Sequence, residues 1–125
     1  MSRQRQKGTA LETAVVDYLS DVLEAEPGSI HRNALHGAQD RGDIYGLMLH
    51  GIPIAVECKN YASREHMSEW LAEAEAERGN IDGLAGVVVS KRNGIGLARP
   101  ELLLVSMTLG DYASHFTGSR PTDGL

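Results

Sequence analysis

The chain has a single cysteine, Cys58, so an intramolecular disulfide is excluded and a thiolate zinc site is not expected. That usage fits a reducing cytoplasm. No apolar stretch approaches the roughly 20 residues a helix needs to cross a bilayer, which predicts a soluble protein. The opening Met1-Ser2-Arg3-Gln4-Arg5-Gln6-Lys7 is basic but runs into an amphipathic segment, so it does not read as a secretory signal. Internal repeats and low-complexity tracts are lacking too. Positive charge is in short supply: 12 Lys plus Arg against 17 Asp plus Glu leave a formal charge of −5, which argues against nonspecific coating of nucleic acid. The distribution softens that exclusion. Arg3, Arg5 and Lys7 cluster at one end and Lys91, Arg92 and Arg99 near the other, and carboxylates that bind a metal do not oppose DNA once the cation is in place.

What is present suffices for one domain over residues 1–125. The 42% hydrophobic content can fill a single core, framed by a basic arm over residues 1–8 and a flexible tail over residues 118–125. Leu11, Val15, Tyr18, Leu19 and Val22 recur at helical spacing and predict a helix from Ala10 to Leu23, with Thr9 as N-cap. Glu26-Pro27-Gly28-Ser29 stops it. A short strand and then a loop follow between His31 and Gly42. Asp43 to Leu49 and Ile52 to Lys59 read as a β-hairpin turning at His50-Gly51. Ser63 can cap a helix reaching Arg78, with Met67, Trp70, Leu71 and Ala74 as its apolar stripe. Leu84 to Ser90 and Leu102 to Met107 read as strands, and Thr108 caps a last helix through Phe116. The order helix, three strands, helix, two strands, helix predicts an α/β fold, a mixed sheet with helices packed on it.

Ile52, Ile54 and Val56 alternate with Pro53, Ala55 and Glu57, so Glu57 and Lys59 share a face of their strand. The bland reading is a solvated face carrying a weak ion pair, but charges on so apolar a strand are expensive. Asp43 alone is an ordinary turn residue beside a glycine. Together the three match what metal-assisted phosphodiester cleavage needs. Mg²⁺ takes one or two carboxylates and keeps several waters, and Asp43 and Glu57 supply that donor type, with the Cys58 backbone carbonyl as a third ligand. Lys59 can orient the attacking water or stabilise developing negative charge. One geometric condition attaches. A two-residue turn at His50-Gly51 pairs Ile44 with Glu57 and sends Asp43 to the wrong side, so the site requires an odd-length loop around Gly51 or a bulge near Asp43.

Gly42-Asp43, then Glu57-Cys58-Lys59 on a following strand, with Glu12 on an upstream helix, resembles the PD-(D/E)XK nuclease superfamily. Within it, Lys7-Gly8 ahead of Glu12, the run Arg41-Gly42-Asp43-Ile44 and the helix after Lys59 look like the archaeal-type Holliday junction resolvases and their phage relatives. The resemblance spans Lys7 to Val89 and departs at Gly42, where the motif often carries proline. It implies a restriction-endonuclease-like core and a homodimer that makes paired nicks in a four-way DNA junction with Mg²⁺ or Mn²⁺. Glu12, Asp43, Glu57 and Lys59 would be the catalytic set, working in the host cytoplasm if the chain is phage-encoded. Arg3, Arg5, Lys7, Arg32, His36, Arg41, Lys91 and Arg92 are the candidate DNA contacts. The same fold also serves enzymes that cut linear duplex or single strands, and a DNA-binding module without catalysis is the alternative from another class.

Several residues carry two readings. Thr9-Ala10-Leu11-Glu12 is also a capping box, in which the Glu12 carboxylate returns to the Thr9 amide. Of the five histidines, His31 and His36 are the closest pair but lack accompanying ligands, so surface or DNA-facing roles are expected. Glu65, Glu69, Glu73 and Glu77 form an i, i+4 acidic stripe, read as a solvated face that stays away from DNA or meets a basic partner. Lys91-Arg92-Asn93-Gly94-Ile95-Gly96 lacks P-loop spacing, so no nucleotide cofactor is expected. Leu109, Tyr112 and Phe116 on the last helix are candidates for a dimer interface.

Overall fold

The computed structural model describes residues 3–33 and 41–121, with side chains from residue 8 onward. The chain forms α1 (Arg3–Val22), β1 (His31–Arg32), β2 (Ile44–Tyr45), β3 (Met48–Leu49), β4 (Ile52–Lys59), α2 (Met67–Asn80), β5 (Ala85–Ser90), a 3₁₀ turn (Pro100–Leu102), β6 (Leu104–Ser106) and α3 (Leu109–Thr117). Six strands make one mixed sheet in the order β1-β2-β4-β5-β6, with β3 also paired to β4. β4 and β5 run parallel, which requires a crossover between them, and α2 is that crossover. The α/β architecture with a mixed sheet and flanking helices agrees with the expectation from sequence, and no helix among the described residues is long and apolar enough to cross a membrane.

The alternation in β4 decides which helix meets which residue. Ile54 and Val56 join Leu11 and Val15 of α1, Ile30, Ile44 and the β5 residues Val87 and Val89 in the main core, each such side chain contributing about 1.5–3 kcal/mol by burial. The opposite face packs Trp70 and Ala74 of α2 on Val88. Gly86 permits that approach, since a side chain there would run into the Ala74 backbone. Glu57 and Lys59 alternate with the core residues and therefore belong to the α2 face.

The hairpin meets its geometric condition by the second of the two expected routes, a bulge. His50 (φ 54) and Gly51 (φ 74) form an even, two-residue turn, with Leu49 opposite Ile52 and Met48 opposite Pro53. Continued unchanged, that register would set Ile44 level with Glu57. Ile44 instead pairs with Val56, because three residues between β2's and β3's pairs face two on β4. The extra residue lies in the Gly46-Leu47 segment, where Gly46 takes φ 97 and the Leu47 carbonyl accepts from the Ile54 amide at 2.9 Å. This is a bulge, and it splits the expected first hairpin strand into β2 and β3. Gly46 also lies so close to the Ser29 carbonyl that a side chain would collide with it.

Other boundaries move for physical reasons. α1 begins at Arg3, not Ala10, so Thr9 sits inside the helix and cannot cap it; the segment read as a basic arm is part of α1. Ser63 does accept from the His66 amide at 3.2 Å, yet α2 starts only at Met67. Thr108 caps α3 as expected, accepting from the Asp111 amide at 3.1 Å. Beyond α3, residues 118–121 are pinned: Arg120 donates to the Leu84 carbonyl at 3.0 Å and to buried Asp111, whose other oxygen accepts from the Gly86 amide at 3.0 Å.

Candidate active site

Asp43 is fixed by backbone on both sides. Its amide donates to the Val56 carbonyl at 2.7 Å, and its own carbonyl accepts from the Asn33 amide at 2.8 Å. Asn33 also donates through Nδ2 to the Gly42 carbonyl at 3.1 Å. The Asp43 carboxylate then turns toward β4, where Oδ2 accepts from the Cys58 amide at 2.8 Å. Gly42 has φ 93, and a Cβ there would stand 2.9 Å from the Val56 carbonyl oxygen and 3.3 Å from Glu77 Oε2. Proline, locked near φ −65°, does not fit such a position.

Glu57 is 8% exposed. Burial, then hydrogen bonds and charge repulsion from the carboxyls of Glu77 and Asp43, push its pKa up to about 11. Three carboxyl groups thus crowd one spot beside β4. Lys59 Nζ lies 3.9 Å from Glu57 Oε1, 2.9 Å from Glu73 Oε2 and 5.8 Å from the Trp70 ring centroid. Burial lowers the Lys59 pKa, but the Glu73 hydrogen bond and the charges of Glu57, Glu73 and Asp43 outweigh it and raise it overall, so the ammonium stays charged. Cys58 belongs to the α1 side; burial, then the charges of Asp43 and Glu12, raise its thiol pKa, which leaves the sulfur a poor nucleophile. A strand residue aims its N–H and C=O to the same side, so the Cys58 carbonyl faces the edge where Asp43 takes the amide.

Two members of this cluster were read differently from sequence. Glu77 is not part of a solvated face, being 1% exposed with its carboxyl against Glu57 and Gly42, and Glu73, though partly exposed, holds Lys59. The signal was present, because Trp70, Ala74 and Glu77 fall at i, i+4 and i+7, the continuation of the apolar stripe. Glu65 and Glu69 do face solvent.

The remaining candidates are dispersed. With Thr9 inside α1, the capping box does not form, and Glu12 Oε1 instead accepts from Arg32 Nε at 3.1 Å. Arg32 also reaches Thr9 Oγ1 at 3.3 Å, so it is engaged within the fold. Glu12 lies near enough to Cys58 for its charge to act on the thiol. Arg41 and Arg92 are exposed and Lys91 is half-buried, the Lys91 amide donating to the Lys59 carbonyl at 3.3 Å. Arg3, Arg5 and Lys7 lie in α1 with side chains outside the described residues, as does all of His36.

Asp43 and Glu57 are hard oxygen donors of the kind a divalent cation takes. Among the described residues no group of three or more His, Cys, Asp or Glu side chains is set to hold a metal, so a cation here would rest on two carboxylates and the backbone. Comparison with known protein families, characterised proteins and solved structures finds no match for this chain.

Proposed function

We propose that this chain is a divalent-metal-dependent endodeoxyribonuclease with a restriction-endonuclease-like core. The observation that carries the reading is the meeting of Asp43 and Glu57 beside Lys59 at the carboxyl end of β4. Ligands of open α/β sheets bind at that end of the strands. The crowding of buried carboxyls fits a cation, since the ammonium beside them, Lys59, is shared with Glu73: without a further cation Glu57 holds its proton, and with one it can give that proton up. Asp43, Glu57 and the Cys58 carbonyl would hold Mg²⁺ or Mn²⁺, which when bound supplies Lewis-acid polarisation of the phosphate and a hydroxide near neutral pH.

The chain's own residues do the rest. Asp43 and Glu57 would hold the cation beside the scissile phosphate. Lys59, charged and held by Glu73, orients the attacking water or meets the negative charge that grows on the phosphate oxygens. Glu12, tied to Arg32, is an auxiliary acid at the rim, and exposed Arg41 and Arg92, with Lys91, face the phosphate backbone.

The substrate we propose is branched DNA, a four-way junction, nicked twice by a homodimer. The exposed apolar residues Leu109, Tyr112 and Phe116 of α3, the last two in ring contact, support self-association, because a patch of that kind is costly to leave in water. Cleavage of a labelled junction and of matched linear duplex, with Mg²⁺ or EDTA, tests the substrate. Paired nicks on the junction alone support a resolvase. Cutting of the duplex or of single strands keeps the nuclease and discards the junction, and binding without metal-dependent cutting favours a non-catalytic DNA-binding module.

A further inference from the structure

Immediately past Lys59, the chain leaves β4 through an aromatic cluster that the cleavage chemistry does not use. Trp70 is buried and acts as its hub. Tyr61 stands edge-on to it at 5.1 Å between centroids, the His66 ring lies over it at 6.4 Å, and the Lys59 ammonium sits above the same ring. His66 is further held by Glu69 at 3.3 Å. Tyr61 itself is 49% exposed, its ring set at 80° to that of Trp70.

The next residue, Ala62, lines a groove of about 390 Å³ together with Ser63, Arg64, Met67, Ser90 and Asn93. Ser90 is the partner of Lys59 across the parallel pair, so the groove adjoins the candidate active site. The lining combines an apolar floor, hydrogen-bonding side chains and one guanidinium, within the size range of ligand sites.

We propose that Tyr61 and this groove bind an unstacked nucleotide next to the scissile phosphate, with the base stacked on Tyr61 and the phosphate on Arg64. Stacking on an aromatic platform requires an open base face, which an intact duplex does not offer and a branch point or gap does. The proposal rests on the nuclease reading and deepens it: the preference for branched over linear DNA comes from Tyr61 and its groove, not from the carboxylates.

The test separates binding from cutting. DNA with a short single-stranded gap carrying 2-aminopurine, and the same sequence fully paired, are titrated against the protein in a Glu57→Gln background. The expected result is quenching and tighter binding on gapped DNA alone, kept by Tyr61→Phe and weakened about 5- to 100-fold by Tyr61→Ala. Arg64→Ala, a surface change, is expected to weaken gapped DNA more than paired DNA. Equal affinity of the unmodified groove for gapped and paired DNA, or Tyr61→Ala and Arg64→Ala both binding as the parent does, overturns the proposal. Cleavage is read separately on the unsubstituted protein: if it cuts no DNA with metal, the nuclease reading falls, while the stacking signal still decides the groove.

Discussion

The carboxyls of Asp43 and Glu57 meet because one extra residue, in the Gly46-Leu47 segment, separates two stretches of a single hairpin whose tip would otherwise set them out of step. Tip and site therefore obey different registers. Gly46 is the residue that lets the chain change from one to the other, and the first expected outcome concerns it. Gly46→Ala adds a side chain at φ 97 that collides with the Ser29 carbonyl and should cost about 3 kcal/mol or more. Gly51→Ala, at φ 74 with open space around it, should cost only about 1–2 kcal/mol. Urea denaturation of the two variants checks the difference.

Glu57 should make the metal-free protein less stable as pH rises. Its folded pKa is raised from 4.5 to about 11, so its contribution is fully present below pH 4.5 and is lost as pH climbs from there toward 11. Glu57→Gln removes that dependence. In EDTA at pH 8 the variant should melt higher than the parent, on the order of 5 °C, the shift that about 1 kcal/mol produces in a small domain. The two should converge near pH 4. Thermal melts across pH 4–9 measure this, and equal slopes for both proteins would count against the buried-carboxyl cluster.

Arg120 ties the segment after α3 to the sheet. Its guanidinium meets the buried Asp111 carboxylate and the Leu84 carbonyl, and Glu75 of α2 lies 3.7 Å away. Arg120→Ala leaves Asp111 buried without its cation and should cost about 3 kcal/mol, as should truncation after Gly118. A mobile tail would predict almost no change in the denaturation midpoint for either variant.

Glu73 should matter more to the reaction than to the fold. Its bond to Lys59 is partly exposed, so Glu73→Ala should change stability by less than about 1 kcal/mol. It frees the ammonium from its fixed position, and the cleavage rate should fall about 10-fold, a loss of the order that positioning supplies. Parallel denaturation and single-turnover measurements separate the two effects.

Much of this arrangement can be read from the sequence, and its failures have definite causes. The apolar alternation in β4 places Glu57 and Lys59 on one face, and β-branched Val87 to Val89 mark the buried strand beside it. Thr9 misleads because a threonine followed three residues later by glutamate looks like a cap, whereas α1 starts a full two turns earlier and Arg32, distant in sequence, claims Glu12. Glu77 is hidden by its neighbours: in a run with Glu65, Glu69 and Glu73 it resembles another solvated charge, and only its helical phase with Trp70 and Ala74 reveals it as inward-facing. The bulge is legible solely as one of two ways to meet a requirement, since the sequence demands an odd-length loop around Gly51 or a bulge near Asp43, and the choice falls at Gly46, which lies against Ser29. Arg120 shows nothing in its own segment, because the partners that hold it come from α3 and the stretch before β5.

The measurement that tests the central claim most directly is single-turnover cleavage of labelled junction DNA with Mn²⁺ by the parent, Asp43→Asn, Glu57→Gln and Lys59→Ala, each first shown to be folded. The expected result is metal-dependent cutting by the parent and a loss of about 10³-fold or more in each variant, the scale of removing a group that stabilises the transition state. Cutting that persists in the folded Asp43→Asn and Glu57→Gln proteins, or a parent that cuts no DNA with any divalent cation, would contradict it.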